Sequence, residues 1–283
     1  MEQKPPLKLK NATHKNPSSA FKVVSTGENL VDDRTIERTE EKYLISKSTK
    51  SKLLKLISKH LEKDQYFKEQ VLSLYFDTKH SDLALRSMER PEFREKIRVR
   101  AYNVPKRSSP VFFEVKSKVD LGLKKLGNKR RLVLPLKDFY AFLNKGENLE
   151  LLAARASEND PQQLQVAREL TYLFSYYQLE PKVIVSADRT AYTEKNNINF
   201  RLTFDERLRF RETDLRLEKG SAGEKFFSGP NKSEENIVME VKTMNSMPLW
   251  FVSALSELKI YSVRFSKYGK IYQLITERNK NHV

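Results

Sequence analysis

Cysteine is absent from the 283 residues, which removes disulfides, thiolate metal sites and thiol nucleophiles, and fits a reducing compartment. Histidine is scarce: His14, His60, His80 and His282 are scattered and show no metal-ligand spacing. No run of about 18 apolar residues occurs, and no apolar segment with a small-residue cleavage site opens the chain. The expectation is a soluble, cytoplasmic protein that associates with a membrane only through a partner or through surface charge. No fixed-period repeat is present either.

What is abundant is charge. Lysine and arginine number 53 against 37 acidic residues, for a formal net charge of +16. Such a field favours polyanions: nucleic acid, phosphate esters or anionic lipid. A hydrophobic content of 39% over this length suffices for one sizeable core.

Residues 1–35 are rich in Lys, Asn, Ser and Pro with little hydrophobic periodicity, and are expected to form a flexible basic arm preceding one domain over 36–283. "IERTEEKYLIS" reads as the first strand, because Arg38, Glu40 and Lys42 alternate with Tyr43 and Ile45 on the opposite face. A helix follows, capped by Ser46 or Ser48, with Leu53, Leu54, Ile57 and Leu61 at helical spacing and His60 on its surface. "QVLSLYFDT", "REKIRVRAY", "PVFFEVKSK" and "NKRRLVLPL" read as strands. Two or three helices should fill 136–178, with Pro161 in a first turn. "KVIVSADRTAYT", "INFRLTFDERLRF" and "IVMEVKT" read as further strands, and "MPLWFVSALSEL" and "YGKIYQLITER" as closing helices. About eight strands without regular β-α alternation predict an α+β fold with a mainly antiparallel sheet.

The strands share a peculiarity. In "KIRVRAY" the cations Lys96, Arg98 and Arg100 fall on one side and Ile97 and Val99 on the other. Glu114, Lys116 and Lys118 share a face in the next strand, Lys129 and Arg131 in the one after, Arg201, Thr203 and Asp205 later, and Glu240 and Lys242 near the end. An ordinary sheet with one face in water also alternates. Solvent faces, however, usually mix Thr, Ser, Gln and Lys, whereas here Arg predominates and Glu recurs beside Lys. Lining a closed barrel with these faces gives a cationic lumen that repels itself unless an anion fills it. A chain of phosphates meets that need, with carboxylates holding a bridging divalent ion.

"RTEEKYLI", "SLYFDT", "KIRVRAY", "FFEVKSK", "KRRL", "DRTAY", "FRLTFD", "MEVKT" and "RFSKYG", in that order over residues 36–275, resemble the catalytic domain of the vacuolar transporter chaperone complex. That domain is the polyphosphate polymerase branch of the triphosphate tunnel metalloenzymes, the CYTH superfamily. The resemblance implies a closed eight-stranded antiparallel β-barrel with flanking helices. It also implies an ATP:polyphosphate phosphotransferase that moves the terminal phosphate of ATP onto a growing polyphosphate or pyrophosphate chain, assisted by Mn2+ or Mg2+.

Carried over motif by motif, the resemblance makes Lys42, Arg98, Arg100, Lys116, Lys129, Arg131, Arg189, Arg201 and Lys267 the phosphate-binding cations. Lys242 joins them by parity. Arg98, Arg100, Arg189, Arg201 and Glu240 would carry the catalytic role, with Glu240 the metal ligand and Glu114 and Glu40 further candidates. Glu114 also has a structural reading as an ion-pair partner of Lys116 or Arg131, and Lys267 as a surface lysine at a helix start. Arg130 has the wrong parity for the lumen, and Trp250, Phe251 and Leu255 are spaced for helix packing. The superfamily's opening E-x-E-x-K has Arg38 in its first position here, as in the polymerase branch. The sensing domain and membrane spans of complete eukaryotic members have no counterpart in these residues, so export of product implies a membrane-protein partner. Hydrolysis of triphosphates on the same fold and non-catalytic polyphosphate binding are the alternatives. A nucleic-acid module fits the Glu-bearing strands poorly, and no specific nucleic acid is expected.

Overall fold

The computed structural model describes residues 38–280 apart from positions 90, 121, 123–124, 196, 227–235 and 245. The basic arm expected over 1–35 lies outside the described residues. Strand β1 (Arg38–Ile45) leads into helix α1 (Lys47–Ile57), and Ser46 caps that helix by accepting from the Thr49 amide. Strand β2 (Leu61–Asp77), helix α2 (Asp82–Glu89) and strands β3 (Phe93–Tyr102), β4 (Pro110–Asp120) and β5 (Lys125–Pro135) follow. Helices α3 (Leu136–Lys145), α4 (Leu149–Ala156) and α5 (Pro161–Tyr177) precede β6 (Glu180–Glu194) and β7 (Asn197–Arg211). A short strand β8 (Glu224–Lys225), strand β9 (Ile237–Met244) and helices α6 (Leu249–Glu257) and α7 (Lys267–Lys280) complete the order.

Two expectations about local structure change. The first helix stops before Leu61, which opens β2 instead; Leu61 continues the helical spacing of Ile57 but packs in the same apolar cluster as a strand residue. His60 accordingly sits in a 3-10 turn, stacked on Trp250 with ring centroids 4.5 Å apart. Helix α2 and strand β8 carry no signal recognised in the sequence.

All strand pairings are antiparallel, in the order β1-β9-β7-β6-β2-β3-β4-β5, with β8 paired to β7. No ladder joins β1 to β5 among the described residues. The sheet nevertheless curls, for Lys116 on β4 reaches Glu40 on β1 at 3.4 Å.

Helices cover the outer face in two groups. Helices α3, α4 and α5 pack on the alternate residues Ile97, Val99, Phe113, Val115, Leu132 and Leu134. Helices α1 and α6 cover Tyr43, Leu202, Phe204, Met239 and Val241. Burying that face leaves the other parity, with its charges, on the concave side. The concave side is apolar at one end, where Tyr75, Val183, Val185 and Val238 receive Tyr268 and Ile271 of α7. Consequently α7 presents its first turn to the charged stretch beyond. None of the described helices is long and apolar enough to cross a membrane.

Phe113 anchors the larger outer cluster: it is fully buried, with the rings of Phe76, Phe139, Phe142 and Phe174 around it at 5.4–6.1 Å. Phe113→Ala is expected to cost about 3–5 kcal/mol in denaturant unfolding, and a loss under about 1 kcal/mol would contradict this account of the packing.

Candidate functional site

The concave side encloses a cavity of about 870 Å³. Its lining carries thirteen Lys and Arg side chains against five Asp and Glu. Three clusters of ion pairs hold Glu114, Asp205, and Glu40 with Glu240.

On the β3–β4 wall, Arg98 donates through Nε to Glu114 at 2.8 Å and through Nη1 to the Tyr75 hydroxyl at 3.2 Å, while Lys129 holds the other Glu114 oxygen at 2.5 Å. Glu114 is 2% exposed. Burial alone would raise its pKa, but Arg98, Arg100 and Lys129 hold it down at about 2. Facing strands β6 and β7 form the second cluster: Arg189 grips Asp205 with two hydrogen bonds, 2.6 and 2.8 Å, and Lys267 at the start of α7 pairs with the same carboxylate. Burial opposes ionisation of Asp205, yet Lys267 and Arg189 keep its carboxyl well below the ordinary range.

The third cluster joins β1 and β9, where register places Glu40 opposite Lys242 and Lys42 opposite Glu240. Lys42 lies 3.2 Å from Glu40 and 3.9 Å from Glu240; Lys242 lies 2.9 Å from Glu240 and 4.0 Å from Glu40. Burial and the Glu240 charge would raise Glu40, but Lys42, Lys116 and Lys242 outweigh them and bring it to about 2. Glu240 is likewise held low against its burial by Lys242, Lys42 and Arg189.

Two cations on β3 stand apart. Among the described residues neither Lys96 nor Arg100 takes part in an ion pair: Lys96 donates to the Ser266 hydroxyl at 2.8 Å and Arg100 to that of Ser73 at 3.4 Å. Burial, reinforced by Lys42, Lys116, Arg98 and Lys118, pushes Lys96 down to about 7. Arg100 is lowered by burial and by Arg98. These positive charges have no carboxylate partner among the described residues, so an incoming anion would neutralise them without displacing an ion pair.

Of the residues singled out in the sequence, Lys42, Arg98, Arg100, Lys116, Lys129, Arg189, Lys242, Lys267, Glu40 and Glu240 all line this cavity. Glu114 sits behind the lining, its oxygens engaged by Arg98 and Lys129. Arg131 and Arg201 fall outside the lining: Arg131 is exposed over the Phe112 ring at 5.2 Å, and Arg201 pairs with Asp64 at 3.1 Å. Arg130 pairs with Glu169 of α5 on the outer face, as its parity required. Asp205, Lys96 and Ser266, with Arg94, Arg264 and Lys270, are among the cavity residues given no role from the sequence, while Tyr75, read there as a polar-face residue backing the site or filling the barrel end, also lines the cavity. The parity of "FRLTFD" already put Asp205 beside Arg201. Its alignment with Arg189, by contrast, depends on a register shift between Thr193 and Glu194, next to the β6–β7 turn.

No group of three or more His, Asp or Glu side chains converges as a ready metal cage among the described residues. Glu40 and Glu240 are close enough for each to raise the other's cost of ionisation, and both face the cavity. Two carboxylates with substrate phosphates suit a small hard cation; Glu114, the third candidate, sits behind the lining with Arg98 at 2.8 Å and Lys129 at 2.5 Å.

Lys96 gives a pH dependence of defined sign. It remains charged in the unfolded chain up to about 10.5 but loses its proton in the fold above about 7, so stability rises with pH across that window. Lys96→Met is expected to raise the melting temperature by a few degrees at about pH 6, with the advantage shrinking toward about pH 10. A constant difference across a pH series of thermal melts would contradict this.

No curated protein matches the chain. Among solved structures, a putative adenylyl cyclase from Hippeastrum, titled as having a dominant triphosphatase activity, aligns at TM-score 0.45 and 15% identity, over 82% of this chain and 93% of that one. A putative adenylate cyclase from Vibrio parahaemolyticus aligns at TM-score 0.41 and 11% identity, over 83% and 97%. The Schizosaccharomyces pombe Mediator head module aligns at 0.37 and 8%, over 78% and 90%. At these scores the likenesses carry no functional inference. The family model of the VTC domain, in contrast, matches residues 37–276, and the chain belongs to the VTC-domain family.

Proposed function

We propose that this protein is a polyphosphate polymerase, transferring the terminal phosphoryl group of ATP to the end of a polyphosphate chain inside the curled sheet, which acts as a tunnel. The observation that carries the reading is the cavity's excess of fixed positive charge, thirteen cationic against five acidic side chains, in a chain of the VTC-domain family. Donor and acceptor are both polyanions, and their mutual repulsion is offset only by cations already in place.

In this reading a terminal oxygen of the acceptor chain attacks the γ-phosphorus, the bond from that phosphorus to the β-γ bridging oxygen breaks, and ADP departs with the electron pair. Arg98, Arg100 and Arg189 hold the phosphate oxygens in line, and Lys42, Lys96, Lys116, Lys129, Lys242 and Lys267 neutralise the rest of the chain. Arg98 and Arg189 are pre-organised for this by their carboxylate partners Glu114 and Asp205. No histidine or cysteine nucleophile is required. Glu40 and Glu240 would hold Mn2+ or Mg2+, which supplies charge neutralisation across the donor phosphates. Arg131 and Arg201 act at most outside the cavity, on phosphates entering or leaving it.

Incubation of the purified protein with ATP and manganese should give a ladder of long chains on a gel stained for polyphosphate. Orthophosphate alone would convert the reading to a hydrolase, and binding without turnover to a polyphosphate-binding protein. Glu240→Gln should abolish metal-dependent turnover with the circular dichroism spectrum unchanged; full activity in that variant would remove Glu240 from the mechanism.

A further inference from the structure

Just outside the cavity lies a buried carboxylate that the mechanism does not use. Asp77, the last residue of β2, is fully buried and forms no ion pair among the described residues. It accepts from the amides of Thr78 at 2.8 Å, Leu83 at 2.8 Å and Ala84 at 2.9 Å, and from the Tyr268 hydroxyl at 2.7 Å. One side chain thereby ties the end of β2 and the first turn of α2 to the first turn of α7.

Tyr268 is equally constrained on its other side. Its ring stacks on Tyr75 at 4.8 Å with an interplanar angle of 6°, and the Tyr75 hydroxyl is the one that accepts from Arg98. Burial and the Asp77 charge drive the Tyr268 phenol pKa upward, which keeps it a donor. The residues flanking Tyr268 reach the cavity: Lys267 pairs with Asp205, and Ser266 accepts from Lys96 while capping α7 through the Gly269 amide at 3.2 Å. At Gly269 itself, a Cβ would stand 3.3 Å from Met88 of α2, so the two helices approach closely there.

We propose that Asp77 and Tyr268 are positioning residues for phosphate binding: their hydrogen bond sets the angular position of α7, and hence where Ser266 and Lys267 meet the anion. This rests on the anion-binding reading of the cavity. A hydrogen bond that served only to stabilise the fold would leave affinity untouched in a molecule that is still folded.

The test is calorimetric titration with inorganic tripolyphosphate, well below the melting temperature, of wild type, Tyr268→Phe, Lys267→Ala and the double variant. Tyr268→Phe keeps the ring stack and removes only the hydroxyl. The expected result is on the order of ten-fold weaker binding, the size of one net hydrogen bond, with losses in the double variant smaller than the product of the single ones. Asp77→Asn, which retains one accepting oxygen, should weaken binding in the same direction. If Tyr268→Phe melts earlier but binds tripolyphosphate like wild type, or if the two substitutions act independently, the positioning role is overturned. Failure of the wild type to bind would remove the anion site itself, and this inference with it.

Discussion

The constraint on which the rest depends is the crowding of like charge on a concave, partly dehydrated surface. Cations a few ångströms apart repel strongly once water is thinned out, and the lining answers with a few carboxylates, each shared. Glu114 serves Arg98 and Lys129, Asp205 serves Arg189 and Lys267, and Glu40 and Glu240 share Lys42 and Lys242. Sharing leaves the lining net positive by design of its numbers, and Lys96 shows the consequence by lying near the edge of deprotonation. A phosphate chain is the counter-ion that relieves the strain without dismantling the pairs.

The architecture turns that electrostatic arrangement into geometry. Period-two alternation sends the aliphatic parity outward under α1, α6 and α3–α5, so the same strands that build the core also build the site. The apolar end of the concave face, from Tyr75 to Val238, seats α7 and delivers Ser266 and Lys267 to the charged region. Packing and function therefore meet at Tyr75, whose ring supports Tyr268 and whose hydroxyl orients Arg98.

Much of this was legible in the sequence because strand parity is a local property. "KIRVRAY", "FFEVKSK" and "MEVKT" each declare which residues share a face, and the cavity lining follows those declarations. What parity does not give is depth along the strand or register across it. Arg131 and Arg201 have the inward parity, yet they lie beyond the cavity, where Phe112 and Asp64 receive them. The Arg189–Asp205 pair, likewise, needs a register shift that no local pattern encodes. Curling brings β4 to β1 through Lys116 and Glu40, residues far apart in the chain whose meeting only the sheet's twist decides.

Crystallography of the protein soaked with inorganic tripolyphosphate tests the central claim most directly. The account predicts a linear phosphate chain within the cavity, its oxygens in contact with Lys96 and Arg100, lining cations of β3 that form no ion pair among the described residues. Phosphate density confined to the outer surface, with those two side chains still held by Ser266 and Ser73, would contradict it.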